Sequence, residues 1–179
     1  GKVAFLFAGQ GAQHPGMGAG IAAASPAARA VFDAADSVRP GTFEQCCQGT
    51  KEELSQTENT QPCVFATDLA CARALEERGV EPDVVAGFSL GEVAALTFAG
   101  AFSDKKGFEL VCRRAELMAA AASSHPGAMR AVVKLDAARV EELAAEVACQ
   151  ADGDCWPVNY NSPMQTVVAG SPTACEKLD

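Results

Sequence analysis

The sequence is poor in the residues and patterns that metal sites and disulfide frameworks require. Of its 179 residues only two are histidines, and its eight cysteines include no C-x-x-C pair. We therefore expect no metal site. No charged segment followed by an apolar stretch opens the sequence, so we also expect no signal peptide. The cysteines are accordingly interpreted as reduced thiols of a cytoplasmic protein, most of them small core residues.

Long apolar runs and excess positive charge are lacking too. No apolar run reaches the roughly 18 residues of a membrane-spanning helix, so we expect no membrane segment. The formal net charge is −9, which argues against a nucleic-acid-binding surface. Hydrophobic residues make up 49% of the chain but aromatic residues only 6%, and alanine is abundant. This composition is typical of an α/β protein built from closely packed helices.

The most informative stretch is the pattern G-x-S-x-G at residues 87–91, with Ser89 at its centre. A short apolar run at 82–86 predicts a buried strand before it, and residues 92–99 predict a helix after it. Strand, tight turn and helix form the context of a nucleophile elbow, in which the serine is exposed and the amide of Leu90 faces a developing oxyanion. The alternative interpretation is an ordinary serine in a glycine-rich turn.

A second glycine-rich loop lies near the start of the chain. Residues 3–8 are apolar throughout and predict a central parallel strand, which leads into the glycine-rich segment 9–16. Such a loop presents backbone amides at the carboxyl edge of a sheet, where α/β proteins bind ligands. Because the loop has neither the P-loop nor the dinucleotide-binding pattern, we expect no cofactor. A purely structural turn explains the loop equally well.

Helix caps, glycines and prolines divide the following residues. The predicted segments are a helix at 26–38 capped by Ser25, an irregular stretch at 41–49, a short helix opened by the capping box at Thr50, and a longer helix from about 59 to 78. Gln61 lies near the start of the longer helix. A polar side chain at a helix start can point into a site, so Gln61 is a candidate site residue.

A long helix is predicted from Ser103-Asp104 to about residue 122. Its predicted buried face carries Leu110, Val111, Leu117 and Met118. Arg113 and Arg114 lie in its middle, and because neighbouring helical residues are rotated by about 100°, one of them can face the interior while the other is solvated. An interior arginine is either paired or available to bind an anion.

The composition changes at residues 123–127, and we place a domain boundary there, between 1–125 and 126–179. The second segment predicts the order β, α, β, β, α, which is one strand short of a ferredoxin-like unit. The last predicted helix is barely two turns long at Asp179, so we expect the polypeptide to continue. The predicted fold is therefore α/β: a parallel-sheet large subdomain with an inserted ferredoxin-like small subdomain that is incomplete at its C-terminus.

A serine nucleophile needs a base, and the sequence has no convincing one. His14 lies on the first glycine-rich loop and His125 lies in the predicted interdomain turn. Neither is followed by an obvious carboxylate that would orient it, and each is equally explained as a surface-loop histidine.

The sequence contains five ordered motifs: F-L-F-A-G-Q-G-A-Q at 5–13, T-Q-P at 60–62, G-F-S-L-G-E at 87–92, R-A-E-L-M at 114–118, and the segments G-A-M at 127–129, N-Y-N-S-P at 159–163 and V-V-A-G at 167–170 of the small subdomain. Together they resemble the malonyl-CoA:acyl-carrier-protein transacylases and the acyltransferase domains of fatty-acid and polyketide synthases. The resemblance covers the whole chain and implies an α/β-hydrolase-like large subdomain. Phe88 departs from the family pattern, which frequently has histidine before the serine.

The resemblance implies a set of site residues. Ser89 is the acylated nucleophile, the amides of Gln10 and Leu90 form the oxyanion hole, Arg114 binds the malonyl carboxylate, and Gln61 lines the site nearby. A planar guanidinium also suits a carboxylate better than a lysine does. The catalytic histidine of the family would follow Asp179.

The implied activity is transfer of a malonyl group from malonyl-CoA to acyl carrier protein through a seryl acyl-enzyme. Malonyl-CoA and acyl carrier protein are the expected partners, with no nucleic acid and no membrane. Two alternatives stay open at this point. A serine esterase or lysophospholipase shares the elbow but has no use for Arg114, and a non-catalytic docking fragment would bind carrier protein without being acylated.

Overall fold

The apolar segment near the N-terminus forms a strand that pairs with the strand of the elbow. A computed structural model describes residues 1–151 and 153–178; Asp152 and Asp179, the end of the last predicted helix, lie outside the described residues. Strand β1 (Ala4–Phe7) runs parallel to β2 (Val84–Gly87), with Phe7 opposite Gly87. Within the described residues these two strands make up the whole parallel sheet.

The prediction of a buried strand at 82–86 is wrong, because no residue of β2 is buried, and β1 is less buried than a central strand. Only Phe7 is buried in β1. Leu6 is 79% exposed and Val84, on the neighbouring strand, is 55% exposed. Leu6 lines an open surface pocket with Asp68 and Leu75, so its side chain stays accessible to solvent.

The chain divides into two compact units, Gly1–Ala119 and Ala120–Asp179. The helices that begin in the first unit are α1 (Ala19–Ala24), α2 (Pro26–Val38), α3 (Thr42–Gln48), α4 (Lys51–Leu54), α5 (Thr57–Glu77), α6 (Leu90–Phe98) and α7 (Asp104–Ser124). The predicted domain boundary at 125/126 lies a few residues after the division between the two units. That this boundary separates two functional parts stays a prediction.

The predicted helix caps are confirmed. The hydroxyl of Ser25 accepts the amide of Ala28 at 3.0 Å at the start of α2. At the start of α4, Thr50 and Glu53 bond each other's backbone amides in a capping box. The prediction of an irregular stretch at 41–49 is wrong, because its two glycines flank α3 instead of interrupting a helix. Gly41 adopts a φ of 84° just before the helix begins.

Helix α5 is the central helix of the first unit and packs against α2 and α6. Its side chains Phe65 and Leu69 are fully buried, and Phe65 contacts the ring of Phe108 from α7 at a centroid distance of 6.1 Å. The predicted buried face of α7 is correct only at Val111. Its buried residues are Gly107, Phe108, Val111 and Ala115, whereas Leu110, Leu117 and Met118 are exposed. The stripe that packs on α5 is therefore rotated from the predicted one.

The second unit has the predicted order β, α, β, β, α. Its elements are β3 (Ala128–Val133), α8 (Ala137–Ala151), β4 (Cys155–Ser162), β5 (Gln165–Gly170) and α9 (Pro172–Glu176). The strands form an antiparallel sheet in the order β3-β5-β4. Its own core includes Val140 and Ala144 of α8, Val168 of β5 and Ala174 of α9. In the described residues, no helix has both the length and the apolar character needed to cross a membrane.

Candidate active site

Ser89 occupies a strained turn between β2 and α6. Its φ of 53° and ψ of −99° are unusual for a residue with a side chain. The amide of Gly91 donates to the carbonyl of Phe88 at 2.9 Å and closes the turn. A Cβ on Gly87 would overlap the backbone of Gly91, and a Cβ on Gly91 would overlap the carbonyl of Phe7. The two glycines are thus required by close backbone approach, and Ser89 is left exposed above the sheet, which is the geometry of a nucleophile elbow.

The loop that carries Gln10 lies beside the elbow. Because β1 and β2 are parallel and adjacent, the segments that follow Phe7 and Gly87 leave the sheet at the same edge. They touch at Gly9, where a Cβ would lie 2.9 Å from the carbonyl oxygen of Phe88. Leu90 is the first residue of α6, so its amide has no acceptor within the helix and lies at the positive end of the helix dipole. This arrangement suits stabilisation of an oxyanion.

Arg114 is the side chain that α7 brings to Ser89. Its Nη2 donates to Ser89 Oγ at 2.9 Å, and its Nη1 donates to Gln61 Oε1 at 2.5 Å. In the part of the chain that is described, no carboxylate lies within ion-pair distance of Arg114. Its charge is therefore available to an anion. Arg113, one residue earlier, is the solvated arginine and pairs with Glu116 at 2.9 Å.

Gln61 is fully buried and links α5 to α7. Besides accepting from Arg114, it donates from Nε2 to Thr57 Oγ1 at 2.9 Å and contacts Met118 Sδ at 3.4 Å. Thr57 in turn donates to Gln10 Oε1 at 3.2 Å. The structure thus brings together the side chains of the four predicted residues Ser89, Arg114, Gln61 and Gln10. Thr57 was not predicted, although its position four residues before Gln61 places both on one helix face.

Asp68 is a second residue that the sequence analysis did not single out. Burial raises the pKa of its carboxyl from 3.8 to about 7, opposed by the nearby amide of Ala8. Among the described residues, its Oδ2 is buried without a hydrogen-bond partner. Since Ala8 directly precedes the Gly9–Gln10 turn, the carboxyl lies beneath the loop of the candidate oxyanion hole. Its only sequence signal is a carboxylate two helical turns after Gln61 on the same helix face.

The candidate bases are not joined to the nucleophile within the first unit. His14 is exposed and its Nδ1 lies 3.1 Å from the carbonyl oxygen of Pro15. Across residues 1–119, which are all described, no histidine is hydrogen-bonded to Ser89 Oγ. His125 belongs to the second unit, where it lines a surface pocket with Asp154 and Trp156. Residues 1–151 and 153–178 contain no group of three or more His, Cys, Asp or Glu side chains arranged to hold a metal ion.

Comparisons with known proteins agree on one family. The profile of the acyl transferase domain matches residues 4–178. A malonyl CoA-acyl carrier protein transacylase of Bacillus subtilis is 37% identical over 177 residues. The crystal structure of a malonyl CoA-acyl carrier protein transacylase from Clostridium perfringens superposes with a TM-score of 0.92 at 35% identity. A malonyl-transacylase in complex with its type II polyketide synthase acyl-carrier protein superposes with a TM-score of 0.89 at 36% identity.

The chain spans little more than half the length of these relatives. The match covers 98% of this chain but 55% of the Bacillus subtilis protein. For the two solved structures, 99% of this chain corresponds to 56% and 57% of theirs. At these lengths the described fold, an α/β unit with a parallel sheet followed by a small antiparallel unit, matches the corresponding part of each structure.

Proposed function

The chain belongs to the acyl transferase domain family, and from this we propose that the protein transfers a malonyl group from malonyl-CoA to the phosphopantetheine thiol of an acyl carrier protein, in fatty-acid or polyketide biosynthesis. The observation that carries the proposal is the 2.9 Å contact between Arg114 Nη2 and Ser89 Oγ. It places an unneutralised planar cation beside a serine on a strained elbow. A substrate with a thioester at one end and a carboxylate at the other fits this pair of groups.

In the first half of the reaction Ser89 Oγ attacks the thioester carbonyl carbon of malonyl-CoA and gives up its proton to a base. The carbonyl oxygen becomes an oxyanion, which the amides of Gln10 and Leu90 stabilise; one such donor is typically worth about 2.7–4 kcal/mol of barrier. Collapse of the tetrahedral intermediate breaks the carbon–sulfur bond, and the sulfur of CoA leaves with a proton. The product is malonyl-Ser89.

In the second half the thiol of the carrier protein attacks malonyl-Ser89, and the same groups act in reverse to regenerate the free serine. Arg114 Nη2 donates to Ser89 Oγ, so the hydroxyl proton of Ser89 is left free to point towards a base. The resemblance to the family assigns that base to a histidine after Asp179. His14, bonded to its own loop, is not part of the proposed mechanism.

Arg114 and Gln61 give the proposed preference for malonyl over acetyl groups. When the substrate binds, the guanidinium of Arg114 gives up its hydrogen bond to Ser89 and bonds the substrate carboxylate instead. Gln61 continues to hold Nη1 of Arg114 in place. With an acetyl group the cation gains no such partner, so part of the binding energy is lost. An esterase gives Arg114 no role, and the named relatives are transacylases; the esterase and docking-fragment alternatives are therefore not favoured.

We also propose a cytoplasmic location, because all eight cysteines are free thiols, the form that a reducing compartment maintains. We further propose that the chain divides into two functional parts, a large subdomain at 1–125, which carries the nucleophile, and a small subdomain at 126–179.

The test is acyl-enzyme formation on Ser89. The full-length protein is incubated with malonyl-CoA, and the peptide that contains residue 89 is analysed by mass spectrometry for an added malonyl group. The expected result is a malonyl adduct on the wild type and none on Ser89→Ala, with Ser103→Ala as the matched control that is acylated normally. A wild type without an adduct, or an undiminished adduct on Ser89→Ala, would refute the proposal.

A further inference from the structure

We propose that Thr57 is a positioning residue that couples the candidate oxyanion loop to the arginine of the acyl-binding site. The inference rests on the proposed function and adds a residue to it. Thr57 contacts neither Ser89 nor a reacting atom. Its hydroxyl is the shared partner of Gln10, from the loop after β1, and Gln61, the residue that holds Arg114.

Arg114 sets the direction of the first two hydrogen bonds in this chain of contacts, from Arg114 to Gln61 and from Gln61 to Thr57. A guanidinium can only donate, so the atom of Gln61 that meets Arg114 Nη1 must be the carbonyl oxygen Oε1. The amide nitrogen of Gln61 therefore faces Thr57 and donates to its Oγ1 at 2.9 Å. Having accepted this bond, Thr57 has its own proton left to donate to Gln10 Oε1 at 3.2 Å. In each of the three hydrogen bonds between Arg114 and Gln10, the donor is therefore the group on the Arg114 side.

Thr57 is well held for this task. It is the first residue of α5, and the helix start beneath it is fixed by the carbonyl of Gln56, which accepts the amides of Asn59 and Thr60 at 2.8 and 2.7 Å. Thr57 and Gln61 lie one helical turn apart, so their side chains meet on the same face. By contrast, Gln10 is an exposed residue of a turn. A bond to a rigid helix restricts the position of that turn.

Loss of the hydroxyl has two separable consequences. The side-chain amide of Gln61 is fully buried, so without the Thr57 hydroxyl one of its N–H groups has no hydrogen-bond partner. The flipped orientation of this amide, in which its N–H groups would repel Arg114, then becomes less unfavourable relative to the native orientation. Arg114 is then held less well for the malonyl carboxylate. The Gln10 loop also loses its tie to α5, which weakens oxyanion stabilisation for any acyl group.

The experiment compares Thr57→Val with Thr57→Ser in the full-length protein. Valine keeps the branched shape and removes the hydroxyl, and serine restores the hydroxyl. For Thr57→Val we expect kcat/KM with malonyl-CoA to fall by about three- to tenfold, the scale of one hydrogen bond, and the preference for malonyl-CoA over acetyl-CoA to fall as well. Thr57→Ser is expected to recover both values to within about twofold of wild type on the same scale.

The matched control is Thr67→Val on the same helix, because the hydroxyl of Thr67 bonds the helix carbonyl of Cys63, at 2.9 Å, and lies beside Cys46, away from the candidate site residues. It is expected to retain wild-type kinetics and selectivity. A folded Thr57→Val protein with wild-type kcat/KM and selectivity overturns the proposal, and so does a Thr57→Ser protein as impaired as Thr57→Val. If valine prevents folding, Thr57→Ala takes its place, since alanine favours a helix.

A second readout separates this inference from the proposed function. In NMR spectra, the side-chain amide protons of Gln61 report the bond to Thr57 without any catalytic activity. A clear shift of these resonances in Thr57→Val, restored in Thr57→Ser, supports the coupling even if the wild type transfers no acyl group, a result that would refute only the proposed function. Unchanged Gln61 resonances in Thr57→Val overturn the inference.

Discussion

Arg114 is held by two neutral oxygens, one on each arm of its guanidinium. Gln61 Oε1 accepts from Nη1 and Ser89 Oγ accepts from Nη2. Neither oxygen carries a negative charge. Arg114 is therefore held in position while its positive charge is not neutralised. This distinguishes it from Arg73, which has two carboxylate partners, Asp104 and Glu76. A partly buried arginine with neutral partners is suited to bind an anion, whereas a paired one stabilises the fold.

The first prediction concerns the shape of that cation. Arg114→Lys keeps the charge but replaces the planar fork by a single ammonium group, which cannot serve Gln61 and a carboxylate in the same geometry. We expect kcat/KM for malonyl transfer to fall by about 10- to 100-fold, as for the loss of a hydrogen bond to a charged group, and acetyl transfer to change by much less. Steady-state kinetics with both CoA esters measure this. Equal losses for the two substrates would contradict a carboxylate-binding role, and Arg113→Lys is the control expected to have no effect.

The second prediction concerns Asp68 and pH. Its pKa is raised by burial to about 7, above the value near 3.9 of an unfolded chain, so folding favours the neutral form. Its contribution to stability is complete below about pH 4 and is lost as the pH rises to about 7. A shift of this size corresponds to roughly 3–5 kcal/mol. Asp68→Asn removes this dependence, because the amide does not titrate.

Urea denaturation of both proteins between pH 4 and pH 8 measures the effect. We expect the free energy of unfolding of the wild type to decline relative to that of Asp68→Asn across this range. Parallel pH dependences of the two proteins would show that the Asp68 carboxyl has an ordinary pKa.

At the scale of the element, the strand–turn–helix unit around Ser89 depends on backbone contact. The carbonyl groups of Phe7 and Ala8 approach Gly91 so closely that no side chain fits there. This contact joins the start of α6 to the end of β1, and so the elbow and the Gln10 loop are assembled by the same packing. The candidate nucleophile and the candidate oxyanion donors are therefore positioned by the same backbone packing.

Gly91→Ala tests this arrangement. We expect it to destabilise the fold by about 1–3 kcal/mol or more, since the added methyl overlaps backbone that cannot move freely. Gly20→Ala in α1 is the matched control: its Cβ would meet nothing within 4 Å, and alanine favours the helix by up to about 1 kcal/mol. Thermal unfolding of both variants followed by circular dichroism provides the comparison. A Gly91→Ala protein as stable as Gly20→Ala would contradict the close approach.

At the scale of the whole molecule, two separate cores bury the thiols of the chain. Cys46 and Cys63 lie in the core of the first unit and Cys155 lies in that of the second, where Cys175 of α9 is buried as well. Each is 3% exposed or less. In the first unit, the hydrogen bond with Cys63 and burial raise the pKa of Cys46 well above its usual range. Cys149 is exposed, so reactivity towards an alkylating reagent distinguishes core from surface in both units.

We expect iodoacetamide at neutral pH to modify Cys149 first in the native protein and the four core cysteines only after denaturation, because the thiolate is the reactive form and must be accessible. Cys71 is exposed as well, but burial of its thiol and the charge of Asp68 raise its pKa, so it is expected to react more slowly than Cys149. Peptide mass spectrometry over a time course gives the order. If Cys155 or Cys175 were labelled in the native protein as fast as Cys149, the interior of the second unit would be accessible to the reagent.

Much of this protein follows from local sequence. The caps at Ser25 and Thr50, the close approach of Gly87 to Gly91 and the β, α, β, β, α order of the second unit are set by residues that interact with near neighbours in the chain, so local patterns identify them. The choice of Ser89 as candidate nucleophile is of the same kind. Where local signals mislead, as for the helix at Thr42–Gln48 between two glycines, packing against a distant element decides; there the ring of Phe43 contacts that of Phe32 at a centroid distance of 4.8 Å.

Tertiary structure alone decided which side chains meet. The sequence spacing did not decide whether Arg113 or Arg114 faces the interior. The rotation of α7 on α5 places Arg114 beside Gln61 and Ser89. The same rotation left Leu117 exposed, because the buried stripe is set by the surface of α5 and not by the apolar residues of α7. The Thr57 bridge and the raised pKa of Asp68 depend on contacts between residues far apart in sequence. The sequence by itself determined the elements and the turn at residues 87–91, since those follow local backbone preferences. The contact of Gly91 with the end of β1, and the site formed around it, depend on long-range packing.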